Sequence, residues 1–256
     1  MKGTLRSMPL LLVVLASSAG CGFGAAPGEQ AARRNDNAAA VAALVKIGVP
    51  LQRDPSGHIR WIEAVHGEMT DEGMRHLAGL PSLEWLEIGG GSVGPAGVAH
   101  LKDCTGLRRL YIHDLKLAGA SLTWLSNLRR LEALSLQRTG ISGSGLKHLN
   151  AGETLRVLNL SGDDIGDQDL DQVARIPGLE VLALQDTKIT GDGLARLEGM
   201  SRLNVLNLTN CRIVDKDLEH FESMGNLRIV FAAGCDIRDE AIKIINAKLP
   251  MLSIFL

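Results

Sequence analysis

A leucine returns every 24 residues along most of the chain, and this period limits the possible folds more than any other feature. Leu83, Leu107, Leu131, Leu155, Leu179, Leu203 and Leu227 stand at that unbroken spacing, with Ile59 one period before them and Met251 one period after. A second column keeps the same register: Met74, Val98, Leu122, Leu146, Leu170, Leu194, Leu218 and Ile242. A third follows three residues behind it: Leu77, Leu101, Leu125, Leu149, Val173, Leu197, Phe221 and Ile245. The stretch from Leu179 to Leu197 shows what one period holds. Leu182 and Leu184 alternate with Val181, Ala183 and Gln185, which is strand spacing, and Ile189, Leu194 and Leu197 then fall at helical spacing behind a capping Thr190. Neither half can bury its apolar side alone, so the unit is stable only when stacked against copies of itself.

The period follows the pattern L-x-x-L-x-L-x-x-N/C-x-L, and from Ile59 to Leu256 the chain resembles the leucine-rich repeat family. The recurrent Thr-Asp-x-Gly-Leu element, seen in Thr70-Asp71-Glu72-Gly73-Met74, is similar to the short-helix variety found in many bacterial proteins and in F-box partner proteins. The resemblance implies an α/β leucine-rich repeat solenoid, with a curved parallel sheet on the concave side and short helices on the convex side. About nine strands at ~4.8 Å each would span about 40 Å. At the family's Asn or Cys ladder position this chain has Gly67, Gly91, Leu115, Thr139, Asp163, Thr187, Cys211 and Cys235, so no continuous side-chain ladder is expected in the first three repeats. Thr70, Ser142, Thr190 and the acids Asp71, Asp167, Asp215 and Asp239 fall in the first helical turn, where they are expected to cap free N–H groups.

The beginning of the chain carries a different signal. Lys2 and Arg6 precede an apolar run from Met8 to Ala16, too short to cross a bilayer, and residues 1–20 read as an export signal peptide. Ser18-Ala19-Gly20-Cys21 resembles a bacterial lipoprotein lipobox, which implies lipidation of Cys21 after cleavage; Ser18 departs from the usual Leu, Val or Ile. The alternative is an ordinary secretory signal cut after Ser17-Ser18-Ala19, giving a secreted or periplasmic soluble protein. Residues 21–37, rich in Gly, Ala and charge, read as a flexible tether. Residues 38–58 read as an N-terminal cap, with a helix from Ala38 to Ile47 and a turn at Asp54-Pro55-Ser56-Gly57, and the repeats occupy 59–256.

Several kinds of chemistry find little support. A net charge of -2 offers no field to recruit nucleic acid. No C-x-x-C occurs, and Cys104 sits in an apolar helix-end column with Leu80, Leu128, Ile176 and Met200. Cys211 and Cys235 stand at one position of adjacent repeats, close enough for a disulfide, but parallel side chains meet poorly across a ladder and two free thiols are expected. Gly89-x-Gly91-x-x-Gly94 imitates a dinucleotide fingerprint, yet its strand-helix unit is shorter than the ~30 residues of a βαβ unit. His76, His100, His148 and His220 share a column with Trp124, Gln172 and Arg196, a position for large amphipathic side chains and not a metal stripe. Neither a metal nor a cofactor is expected.

Outward strand positions are freer of fold requirements, and those of the first strands are unusual. Trp61, Glu63, Trp85, Glu87, Arg109, Tyr111, His113, Asp114 and Arg138 form a set rich in the aromatic and Arg types that anchor interfaces. Gly89 and Gly90 are expected to leave a notch between Val65 and His66 on one side and His113 and Asp114 on the other. In the second half, Val157, Val181, Val205 and Ile229 form one β-branched column. Glu63 and Glu87 fall on neighbouring strands, ~5 Å apart, which is the carboxylate spacing of a retaining glycosidase; an open sheet face, however, offers no water-excluding cleft. The sequence therefore points to a non-catalytic, envelope-anchored module that binds a protein or peptide through its concave face. The alternative is a glycan or cell-wall binder, with Trp61, Trp85 and Tyr111 stacking on sugars and Glu63 and Glu87 accepting hydroxyl bonds. The C-terminal repeat has no polar cap, and a homodimer through that edge is expected.

Overall fold

A computed structural model describes residues 35–118, 120–149 and 154–256. The expected signal peptide, Cys21 and all but the last residues of the tether lie outside the described residues. Ten strands form one sheet in sequence order. They are β1 (Leu51–Arg53), β2 (Ile59–Ala64), β3 (Trp85–Gly89), β4 (Arg109–His113), β5 (Ala133–Gln137), β6 (Val157–Asn159), β7 (Val181–Ala183), β8 (Val205–Asn207), β9 (Ile229–Phe231) and β10 (Ser253–Phe255). From β2 to β10 all pairings are parallel, and each strand pairs in register with the residue 24 positions on, as Leu86 with Leu110 and Leu182 with Leu206. From β2 onward, each connection between strands carries a short helical segment across the other side. This mixed α/β arrangement is a leucine-rich repeat fold.

β1 was not foreseen as a strand. It pairs antiparallel with β2, Leu51 opposite Ile62 and Gln52 opposite Trp61, because a tight turn can join only antiparallel neighbours. Asp54 makes that turn: its Oδ1 accepts from Ser56 N at 2.9 Å and His58 N at 3.1 Å. Ahead of it, α1 (Ala38–Lys46) is capped by Asn37, whose side chain accepts from Ala39 N and Ala40 N. Asp36 Oδ2 accepts from Ile59 N at 2.8 Å and Asn37 N donates to Gly79 O at 2.8 Å. Asp36, through its side chain, and Asn37, through its backbone, thus tie the start of α1 to β2 and to Gly79.

The periodic columns are the core. Ile62, Leu86, Leu110, Leu134, Leu158, Leu182, Leu206 and Val230 are fully buried, and so are the helical residues Met74, Val98, Leu170 and Leu194. Met251 is the exception, 70 % exposed where its predecessors in the column are buried. The helical segments between the parallel strands are mostly brief: α2 (Asp71–His76), α3 (Pro95–Val98), α4 (Leu170–Val173) and α5 (Gly191–Arg196) are joined or replaced by 3-10 turns such as Thr123–Asn127, Gly143–His148 and Asp215–Ser223, and α6 (Asp239–Lys248) is the longest among the described residues. Among the described residues, no helix is long and apolar enough to cross a membrane.

Two hydrogen-bond systems tie the repeats together. In the ladder, Thr139 Oγ1 donates to Leu136 O at 2.9 Å, and Asp163 Oδ1 accepts from Thr139 N and Gly140 N. Further on, Thr187 Oγ1 donates to Leu184 O, Cys211 Sγ to Leu184 O at 3.1 Å, and Cys235 Sγ to Leu208 O at 3.2 Å. Each thiol is thus turned toward a carbonyl of the preceding repeat; both are free, as is Cys104, whose thiol burial pushes up to about 12. The second system corrects an expectation. Asp71, Asp167 and Asp215 do not cap their own helices but accept from the next repeat, at Gly94 N, Thr190 N and Arg238 N, each at 2.8 Å. A carboxylate at the first helical turn reaches the neighbouring repeat because the short helices lie side by side. Ser142 also makes no cap bond, since its hydroxyl pairs with Ser144 at 2.8 Å, whereas Thr70 and Thr190 do cap.

Candidate functional site

The outward side chains of β2 to β5 stand in three columns set by the parallel register. Trp61, Trp85 and Arg109 make the first, Glu63, Glu87 and Tyr111 the second, and Gly89, His113 and Gln137 part of the third. Alternation forces them to this face, because Ile62, Leu86, Leu110 and their partners take the other. Trp61 is 37 % exposed and its ring lies 6.0 Å from the Arg60 guanidinium. The Arg109 guanidinium sits over the Trp85 ring at 5.4 Å, and Trp85 packs against Tyr111 with ring centroids 5.7 Å apart. Tyr111 is buried and its hydroxyl is pushed above the ordinary phenol range, first by that burial. It is the floor of the patch, carrying Trp85, and not an open ring.

The expected notch at Gly89 is filled. A Cβ at Gly89 would overlap the His113 imidazole, so the glycine exists to admit that ring. His113 Nε2 lies 3.7 Å from Glu87 Oε1, and its Nδ1 is 3.0 Å from Asp114 Oδ2. Asp114 in turn takes two bonds from Arg138, Nε to Oδ1 at 2.6 Å and Nη2 to Oδ2 at 2.9 Å. Glu87, His113, Asp114 and Arg138 therefore form one linked polar run across β3 to β5 and the turns behind them, with Glu63 in register beside Glu87. The Arg138 bond holds the Asp114 carboxyl down at about 2, while burial, with Glu63 adding to it, pushes Glu87 above the usual carboxylate range. Asp114 and Arg138 both sit in the left-handed backbone region, φ 56° and 51°, where a non-glycine residue must be held by its surroundings.

Sequence reasoning found these residues but not their links. His113 and Gly89 lie 24 apart, as do Asp114 and Arg138, and reading each column across repeats for complementary pairs would have joined them. The same reading finds a charge column at the start of the strands, Arg60, Glu84, Arg108, Glu132, Arg156 and Glu180, with ion pairs Arg60–Glu84, Arg108–Glu132 and Arg156–Glu180. The Gly89, Gly91, Gly94 imitation of a nucleotide motif resolves into left-handed turn residues at Gly90 and Gly91 and a four-residue helix led by Pro95. In the histidine column His220 Nδ1 pairs with Glu198 at 2.7 Å and His76 lies 3.7 Å from Glu72. Among the described residues no group of three or more His, Cys, Asp or Glu is placed to hold a metal ion.

One parallel strand and one short helical segment per 24-residue period define a leucine-rich repeat fold. Solved structures of that architecture are similar to this one. Internalin C2 of Listeria monocytogenes aligns with a TM-score of 0.61 at 22% identity, over 77% of this chain and 80% of its own. An internalin, inlF, of the same organism aligns at 0.51 and 22% identity, over 71% of this chain and 49% of its own. A leucine-rich repeat protein of Leptospira interrogans aligns at 0.50 and 18% identity, over 71% and 45% respectively, so the chain spans about half the length of the last two. No family model matches the chain, and no curated protein matches it in sequence. At these identities the likeness is one of fold alone.

Proposed function

We propose that this chain is a non-catalytic recognition module that binds a protein or peptide partner across the open face of β2 to β5, exported and held at the cell envelope by a lipid on Cys21. The observation that carries the reading is the clustering of Trp61, Glu63, Trp85, Glu87, Arg109, Tyr111, His113, Asp114 and Arg138 on a face whose inward neighbours already account for the core. Aromatic and arginine side chains grouped in this way are the residues from which interface hot spots are built. A polypeptide is favoured over a sugar because sugar stacking needs an open ring face. Arg109 lies over Trp85 and Tyr111 is buried, which leaves Trp61 as the one of the three rings with an exposed face. Hydrolysis by the Glu63 and Glu87 pair is disfavoured by the exposure of Glu63 on an open sheet.

The test places a photo-crosslinking residue at Gln137, beside His113 in register, and identifies what it captures in the native envelope. Trp61→Ala with Arg109→Ala is expected to weaken the captured partner by about 2 kcal/mol or more, while the unfolding free energy shifts by under about 1 kcal/mol. Gln185→Ala with Thr209→Ala, outward on β7 and β8 turns, is the matched control and leaves capture intact. If the control pair abolishes capture and the first pair does not, the binding face is the other half. The anchor is tested separately by mass spectrometry of the mature N-terminus, where any first residue other than a lipidated Cys21 rejects it.

A further inference from the structure

The charges on this face are unevenly matched. Arg60 pairs with Glu84 and lies 3.7 Å from Asp54, Arg138 holds Asp114 through two bonds, and Arg109 rests on Trp85. Glu63 is exposed and, among the described residues, no cation pairs with it. Glu87, its side chain 17 % exposed, has His113 at 3.7 Å as its one ion pair among the described residues. The two carboxylates stand in register on adjacent strands, and Trp61 and Trp85 stand in register beside them. We propose that Glu63 and Glu87, flanked by Trp61 and Trp85, receive a lysine or arginine side chain of the bound polypeptide.

This inference rests on the recognition role proposed above and names the chemistry of the partner at one point. Like carboxylates on neighbouring strands repel, and the repulsion is already felt, since Glu63 helps to raise the Glu87 carboxyl. A cation placed between them removes that repulsion and makes charge-assisted bonds to both. Its methylene stem covers the exposed Trp61 ring, a contact that a compact ion cannot make. The chain uses the same pairing within itself, with a guanidinium 6.0 Å from the Trp61 ring and another 5.4 Å from Trp85. An acidic partner would meet Glu63 unscreened, and a neutral one would leave the paired charge in place.

The experiment titrates the full chain, labelled for glutamate carboxyl and tryptophan indole resonances, with blocked tri-arginine and tri-lysine peptides and with blocked tri-norleucine, which keeps the stem and lacks the charge. The cationic peptides are expected to shift the Glu63, Glu87, Trp61 and Trp85 signals, to bind more weakly as salt rises, and to bind E63Q/E87Q at least about tenfold more weakly. Equal shifts from tri-norleucine, no shift at all, or undiminished binding by E63Q/E87Q would overturn the proposal. The crosslinker at Gln137 separates the two claims. A partner captured equally by the wild type and E63Q/E87Q, but lost with Trp61→Ala and Arg109→Ala, leaves the recognition role standing and removes the cation. Capture indifferent to all of these changes removes both.

Discussion

Asp163 occupies the turn after β6 with 5 % of its surface exposed. Its Oδ1 accepts from Thr139 N at 2.8 Å and Gly140 N at 2.7 Å, while Oδ2 has no hydrogen-bond partner among the described residues. Burial outweighs those bonds and pushes the carboxyl up to about 6. The unfolded chain ionises near the ordinary 3.8, so between 3.8 and about 6 it has released a proton that the folded chain keeps. Stability therefore falls as pH rises through that window and stays reduced above it. Asp163→Asn keeps the acceptor and drops the charge, matching the residue that the repeat pattern has at this position. It is expected to gain about 1–2 kcal/mol at pH 7 and little at pH 4, read by urea unfolding at both values. A variant less stable than wild type at pH 7 would show that the ionised carboxylate is needed. Asp114 has the opposite sign, since Arg138 holds it at about 2; its contribution is present above 3.8 and lost as pH falls toward 2. Solvent screening at this exposed pair keeps the effect small.

Between elements, the short helices are spaced by carboxylate and glycine in partnership. Asp167 reaches from the 3-10 turn Asp167–Asp169 to Thr190, accepting from its N at 2.8 Å and its Oγ1 at 2.7 Å, and a Cβ at Gly193 would overlap Asp167 Oδ1. Gly191 stands in the same relation to Asp217, whose Oδ2 accepts from Val214 N at 3.0 Å. Gly193→Ala is thus expected to lose about 1–3 kcal/mol of stability by displacing a carboxylate that satisfies two donors, although alanine is the better helix former. In an Asp167→Ala background the same change should cost under about 0.5 kcal/mol, and equal costs in both backgrounds, measured by thermal melts, would reject the coupling. These partnerships were hidden because the acids were assigned to their own helices, as one-helix capping rules require. The leucine columns were legible because burial repeats at every period. Asp71, Asp167 and Asp215 act across the period, where position 24 residues on matters more than the local neighbour. The site shows the same division: Trp61, Glu87 and Arg109 were readable as outward residues. That His113 occupies the space above Gly89 depends on a rotamer, which spacing does not specify.

At the scale of the whole sheet, the two ends differ in chemistry. β2 and β3 present rings and carboxylates, and β1 covers the first edge by antiparallel pairing. At the other end β10 is paired only with β9 among the described strands. Ser253 N donates to Arg228 O at 2.8 Å and Phe255 O accepts from Ala232 N at 2.8 Å, so the backbone groups of Ile254 face outward from the sheet. Around them Phe255 is 52 % exposed and stacked on Phe231 at 5.5 Å, Leu256 is 52 % exposed, and Met251 and Ile244 are 70 % and 65 % exposed. Open backbone beside apolar side chains is the arrangement that recruits another strand. A second copy can supply one by an antiparallel β10 pairing about a two-fold axis, the self-complementary form that closes at two chains. The chain is therefore expected to sediment as a dimer at high concentration, with slow amide exchange at Ile254. Phe255→Lys, which places charge beside the edge from the outward column that Phe255 shares with Phe231, is expected to leave a folded monomer. A wild type that stays monomeric at the highest attainable concentration, with rapid exchange at Ile254, would reject the edge pairing.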